Sequence, residues 1–233
     1  MSGARAEIFA GIRRSLKRGR LDPAHEKALR ERAEAHRRNL VPARAASLDH
    51  PRRVELFAAM AEEVQATVAR VGSPAVVPEE VARYLAAENL PAELVLAPDP
   101  GLDAMPWHER PLLRLRRGRA EAGDAVSLTP CCAAVAETGT LMLVSGSATP
   151  TTLNFLPDTH IVIVNADQVV ATYEDGWDRL RAAGAMPRAV NFITGPSRTG
   201  DIEQRIELGA HGPRRLHIIL VDDRPRADDG EDQ

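Results

Sequence analysis

His160-Ile161-Val162-Ile163-Val164 is apolar from its second residue to its last. A strand with one wet face alternates apolar and polar side chains. A near-continuous apolar run marks a strand covered on both faces, as in a parallel sheet. The downstream residues agree. Residues 166–183 carry a helical pattern, Ala189-Val190-Asn191-Phe192-Ile193 reads as another buried strand, and Leu216-His217-Ile218-Ile219-Leu220-Val221 reads as the last one. Strand, helix, strand, helix, strand is the pattern of a parallel α/β sheet.

Upstream, short strands are predicted at 94–97, 112–115 and 125–128, with a loop from Pro98 to Pro111. Two more apolar runs, 131–136 and 140–144, flank Glu137-Thr138-Gly139-Thr140, a turn or a bulge at a strand end. The strongest helix is expected over 48–70. Asp49 is its N-cap, Pro51 lies in the first turn, and Val54, Phe57, Ala61, Val64 and Val68 recur at three- and four-residue spacing. A shorter helix over 79–88 carries Val81, Tyr84 and Leu85.

The first 46 residues read differently. Ile8, Phe9, Ile12 and Leu16 share one face of a helix over 4–18, and Arg5, Arg13, Arg14, Lys17 and Arg18 take the other. A solvated helix and an extended connection through Val41-Pro42 come next. The expected organisation is a helical arm (1–46), an α/β domain (47–222) and a disordered acidic tail (223–233).

Composition narrows the function. Aromatic residues are 3% of the chain and the net charge is −3, which argues against stacking platforms for single strands and against general nucleic-acid binding. Cys131 and Cys132 are the only cysteines, and they are adjacent, so they cannot alone clamp zinc or an iron–sulfur cluster. Reduced thiols in a cytoplasm are the simplest reading. No apolar stretch approaches the roughly 20 residues that span a bilayer.

Two stretches carry candidate chemistry. The first is Thr194-Gly195-Pro196-Ser197-Arg198-Thr199-Gly200-Asp201-Ile202-Glu203, read as strand, tight loop and helix. Gly195 can take backbone angles closed to other residues. Ser197 or Thr199 can cap the helix, whose N–H groups then face a small concavity with Arg198 as a fork of donors for a carboxylate or phosphate. No lysine follows the second glycine, so the Walker pattern is not met. Asp201 and Glu203 already complement the helix dipole. The alternative is a capped connection bearing a surface arginine. The second stretch is Glu137-Thr138-Gly139-Thr140. Glu137 is the best single candidate for acid/base or nucleophilic work; its other reading is an acceptor for the tight turn. Ligands of parallel sheets bind beyond the carboxyl ends of the strands. That rule places Gly195–Gly200, Glu137 and Asp222 together, with His211 and His160 at the opposite end.

These motifs, with Pro150-Thr151-Thr152-Leu153-Asn154-Phe155-Leu156-Pro157-Asp158-Thr159-His160 and Leu208-Gly209-Ala210-His211-Gly212-Pro213, resemble the LUD-domain family over about 48–222. Gly200 is a small departure, standing where the pattern leads one to expect alanine. The resemblance implies a three-layer α/β/α fold with a mostly parallel sheet, similar to ribose-5-phosphate isomerase and CoA transferases. It also implies a part in bacterial oxidation of L-lactate to pyruvate beside iron–sulfur partner proteins, which would hold the redox centres. The two stretches together give the expected site: Glu137 as catalytic residue beside a small-anion site made by Thr138, Gly139, Thr140, Gly195, Pro196, Ser197, Arg198, Thr199 and Gly200, with no metal or cofactor in this chain. Homo-oligomers fit the arm. The alternative is a stand-alone enzyme of acyl-CoA or sugar-phosphate chemistry using Glu137, on fold-level analogy with the nucleophilic glutamate of CoA transferases.

Overall fold

The computed structural model describes residues 2–19, 21–38, 40–199 and 207–223. The chain divides after Val41 into two compact units. The smaller holds α1 (Ser2–Ser15) and α2 (Pro23–Glu34). Asp22 caps α2, which buries no residue, and Ile8, Phe9 and Ile12 of α1 are exposed. The boundary expected at 46 lies earlier because α3 (Ala43–Ala46) buries Ala45 in the core of the larger unit.

In the larger unit, Asp49 starts α4 (His50–Glu63) as predicted: its carboxylate accepts from Arg52 N at 3.0 Å, and Pro51 occupies the first turn. The helix does not run on to 70. Gln65 takes a φ of 70° and turns the chain, and the next residues extend into β1 (Thr67–Val71). After α5 (Val77–Ala87) come β2 (Glu93–Leu96), α6 (Pro100–Asp103), β3 (Arg114–Arg117) and β4 (Val126–Pro130). β3 lies two residues past its predicted place, which leaves Leu112 85% exposed. β5 (Ala133–Val135) and β6 (Thr140–Val144) flank the Glu137 turn, and β7 is Thr159–Asn165. β8 (Val169–Val170) precedes α7 (Tyr173–Ala182), then come β9 (Val190–Ile193), β10 (Arg198–Thr199), β11 (Glu207–Leu208) and β12 (Arg215–Val221). The helix expected from 166 begins only at Tyr173. Thr172 and Asp175 form a capping box there, and Val169-Val170 pairs with β5 instead.

Six strands run parallel in the order β1-β12-β7-β4-β2-β3. The apolar run 160–164 lies in β7, at the centre of this sheet. Ile161 and Ile163 of β7 face α5, with Val77, Val81, Tyr84 and Leu85, while Val162 and Val164 face α4, with Val54, Phe57 and Ala61. Both faces are dry, so the strand has no place for alternation.

Beyond α4 lies a second sheet, β8-β5-β6-β9. Ala134, Ala136, Leu141 and Leu143 face the main core, and Ala133, Val135 and Met142 face Tyr173 and Trp177 of α7. Here two expectations fail. β9 does not join the parallel sheet but runs antiparallel to β6. Glu207-Leu208, expected within a helix, pairs antiparallel with Arg198-Thr199. The rest of that helix, 202–206, with Gly200 and the tail beyond Asp223, falls outside the described residues. Among the described residues no helix is long and apolar enough to cross a membrane.

Candidate functional site

The C-terminal turn of α4 gathers the two sequence motifs, although they lie far apart in the chain. Gly139 is the tip of the β5–β6 turn, at φ 65°. A Cβ there would stand 2.4 Å from Ala61 N and 2.6 Å from Met60 C, so the turn rests directly on the helix backbone. Gly195, at φ 73°, does the same from the other side, with its Cβ position 2.3 Å from Val64 O. Only glycine combines this backbone conformation with so close an approach.

Four hydroxyls meet between the motifs. Thr140 Oγ1 lies 2.7 Å from Thr138 Oγ1, 2.8 Å from Tyr173 OH and 2.7 Å from Thr194 Oγ1. Thr138 Oγ1 also donates to Tyr173 OH at 3.0 Å. A hydroxyl has one proton and two lone pairs, so Thr140, fully buried, is saturated by its three neighbours. Thr194 makes one of these contacts, is exposed, and keeps capacity for a ligand.

Arg198 is exposed and donates from Nη2 to Val64 O at 2.6 Å. A cation on the last carbonyls of a helix complements the dipole, so this contact is a cap. The guanidinium's remaining donors have no partner among the described residues. Ser197 N donates to Pro213 O at 2.8 Å, and Ser197 O accepts from Gly209 N at 3.0 Å. Glu137 is half-buried, its N–H donates to Ala171 O at 3.2 Å, and among the described residues its carboxylate has no partner. Thr138, Gly139, Thr140, Gly195 and Arg198 therefore converge, with Pro196 and Ser197 behind them. Gly200 and the side chain of Thr199 lie outside the description.

The placement at the carboxyl end of the sheet is wrong. Because β9 leaves the parallel sheet, the rule does not reach its loop. Ser197 bonds Pro213 just before β12 begins, and α4 leads into the start of β1, so the site lies at the amino end. Asp222 follows β12, which at roughly 3.3 Å per residue puts it about 20 Å away. His211 is also corrected. The β10–β11 hairpin returns the chain beside itself, so the turn holding His211 adjoins Ser197.

The buried histidines are core residues. His160 Nε2 pairs with Thr129 Oγ1 at 2.8 Å, its Nδ1 has no partner among the described residues, and burial pushes its pKa down to about 3. His217 stacks on Tyr84 at 3.8 Å and bonds Thr67 Oγ1 at 2.8 Å. Its Nε2 stands 3.5 Å from Glu80 Oε1 without an aligned hydrogen bond; burial outweighs that carboxylate and takes the ring down to about 4. Cys131 Sγ donates to Ala133 O at 2.8 Å, and burial pushes the thiol up to about 12. A pocket of about 260 Å³ opens at the carboxyl ends of the strands, lined by His50, Asn165, Asp167 and Asp223 among others. Its carboxylates suit no anion, so the hydroxyl cluster is the better candidate.

Sequence reasoning missed Tyr173 and undervalued Thr194. The capping box at Thr172 and Asp175 could have located Tyr173 at a helix start, but nothing in the sequence shows its ring reaching Thr140.

Residues 54–221 match the LUD domain. A lactate utilization protein C of Deinococcus radiodurans is 38% identical over 122 residues, 52% of this chain and 55% of its own length. Its namesake in Bacillus subtilis is 38% identical over 94 residues, 39% of this chain. The matches thus span about half or less of these curated relatives. A DUF162 family protein from Deinococcus radiodurans, solved by crystallography, superposes with a TM-score of 0.55 at 25% identity, over 75% of this chain and 99% of its own.

Proposed function

Because the chain belongs to the LUD domain family, we propose that it is a component of a bacterial L-lactate utilisation system and that the cluster beside α4 takes a small carboxylate such as lactate or pyruvate. The observation that carries this reading is the convergence of Thr138–Thr140 and Thr194–Arg198 on one helix end, with a hydroxyl and a guanidinium exposed there and Glu137 next in the chain to Thr138. In this reading the remaining N–H groups of Arg198 bind the carboxylate. Thr194 meets the neighbouring oxygen of the ligand. Glu137, unpartnered among the described residues, is the group that accepts a proton. Oxidising lactate to pyruvate releases two protons and two electrons, and the second proton passes to solvent. Cys131 is a buried, protonated thiol and a poor cluster ligand. The electrons are therefore assigned to iron–sulfur partner proteins. The relatives' name, lactate utilization protein C, supports the system.

The test is growth on L-lactate by a bacterium stripped of its own lactate utilization protein C. The wild-type chain should restore growth; Arg198→Ala and Glu137→Gln should accumulate as folded protein and fail to. Failure of the wild type, or full rescue by both variants, would contradict the reading.

A further inference from the structure

The chain guards one sheet edge and leaves another bare. β3, at the edge of the parallel sheet, carries Arg114, Arg116 and Arg117, ion-paired to Glu93, Asp124 and Asp103. Charge on an edge blocks pairing with another chain. β9, at the edge of the second sheet, reads Val190-Asn191-Phe192-Ile193 and carries no charge.

The backbone of β9 also faces outward in register. Ser145 N donates to Ala189 O at 3.0 Å, so residues 189, 191 and 193 turn their polar groups towards β6. Val190 and Phe192 then turn theirs away from the sheet. Pro187 and Pro196 bound this stretch on either side.

The face beside that edge is aromatic in a chain with few aromatics. Of four phenylalanines, two tyrosines and two tryptophans, Phe192, Tyr173 and Trp177 cluster here. The Phe192 ring lies 5.5 Å from each of the other two. Phe192 is 38% exposed, and Met186, just upstream, is 56% exposed. Half-exposed aromatic and methionine side chains around a bare strand mark an interface.

We infer that β9 pairs antiparallel with β9 of a second copy of this chain, about a two-fold axis, joining the two four-stranded sheets into one of eight. Charge complementarity selects a second copy as the occupant. Tyr173 packs its ring on Phe192 and shares Thr140 as a hydrogen-bond partner with Thr194, so α7 starts beside the C-terminal end of β9, and Glu174 follows Tyr173 at that end. Arg188 stands just before the N-terminal end. Among the described residues neither has an ion-pair partner. A two-fold antiparallel pairing brings Arg188 of each copy to the Glu174 end of the other, twice over. The inference is independent of the ligand proposed above.

Sedimentation equilibrium on the full chain tests this. The wild type should have twice the mass of the chain. Val190→Pro removes an outward N–H and part of a half-buried side chain packed on the Ala133, Val135 and Met142 cluster, so it should cost some stability, stay folded and weaken the dimer at least tenfold. Arg188→Glu should weaken it too, and adding Glu174→Arg should restore it. A monomeric wild type overturns the inference, as does a folded Val190→Pro that dimerises as tightly as wild type. If Val190→Pro fails to fold, an unchanged dissociation constant in Arg188→Glu overturns it instead.

Discussion

Replacing Gly139 by alanine tests whether the β5–β6 turn is seated on α4. Two costs add. Gly139 sits at φ 65°, and moving an L side chain into the left-handed region costs about 1–2 kcal/mol. The new methyl would also stand 2.4 Å from Ala61 N and 2.7 Å from Ala61 Cα. Those are main-chain atoms of a packed helix and cannot swing aside, so relief requires helix or turn to move, at about 1–3 kcal/mol. The sum is roughly 2–5 kcal/mol. At about 2–4 °C per kcal/mol for a chain of this length, the melting temperature should fall by about 4–20 °C. Gly184→Ala is the clash-free comparison: nothing lies within 4 Å of its Cβ position, so it bears a backbone cost alone, one at least as large as that at Gly139 because its φ of 109° lies beyond the left-handed basin. Urea denaturation of both, followed by circular dichroism, separates the contributions, with the m-value expected to hold. If Gly139→Ala costs less than about 2 kcal/mol, the turn is not seated on the helix and the site does not form as a unit.

Acid should unfold the domain early. His217 and His160 titrate at about 4 and about 3 in the fold, against an ordinary value of 6.5, because both are buried. Between these values the unfolded chain binds protons that the folded chain does not. Stability is therefore full above pH 6.5 and falls as the pH drops toward 4. At 1.36 kcal/mol per unit, His217 alone accounts for about 3 kcal/mol of that loss. Urea midpoints from about pH 7 to about pH 4.5 should decline, less steeply in His217→Phe; a flat profile would refute the burial of these rings. Thr140→Val keeps the shape of the cluster's centre but takes one hydrogen-bond partner from each of Thr138, Tyr173 and Thr194, leaving Thr138 and Tyr173 bonded only to each other. It should cost about 1–3 kcal/mol in the same assay, and a neutral result would mean that water already satisfies these groups.

The strands of the parallel sheet are legible in the sequence because burial on both faces leaves a mark in composition: β7 and β12 are nearly unbroken apolar runs. Asp49 and Pro51 likewise announce α4. Its end is not legible, because Val64 and Val68 continue the helical spacing while Gln65 turns the chain. β9 is recognisable as a strand, yet an apolar run does not say which sheet it joins, and that choice reverses the end at which the site lies. The glycines read as turn formers. Their closer constraint, the α4 backbone against Gly139 and Gly195, is a tertiary contact that no local pattern encodes. Arg198 reads as a ligand group, and its cap on Val64 O is invisible in the sequence for the same reason.

Titration calorimetry on the purified chain with L-lactate, pyruvate and inorganic phosphate tests the central claim most directly. The account predicts saturable binding of at least one of the two carboxylates. It further predicts a ten- to hundredfold loss in Arg198→Ala, the equivalent of a charged hydrogen bond worth about 1.5–3 kcal/mol. The melting temperature of that variant should change little, since the cap on α4 is worth only about 0.3–1 kcal/mol at the surface. Absence of binding by either carboxylate, or an unchanged affinity in Arg198→Ala, would contradict it and leave the Gly-Pro-Ser-Arg loop as a structural cap on α4.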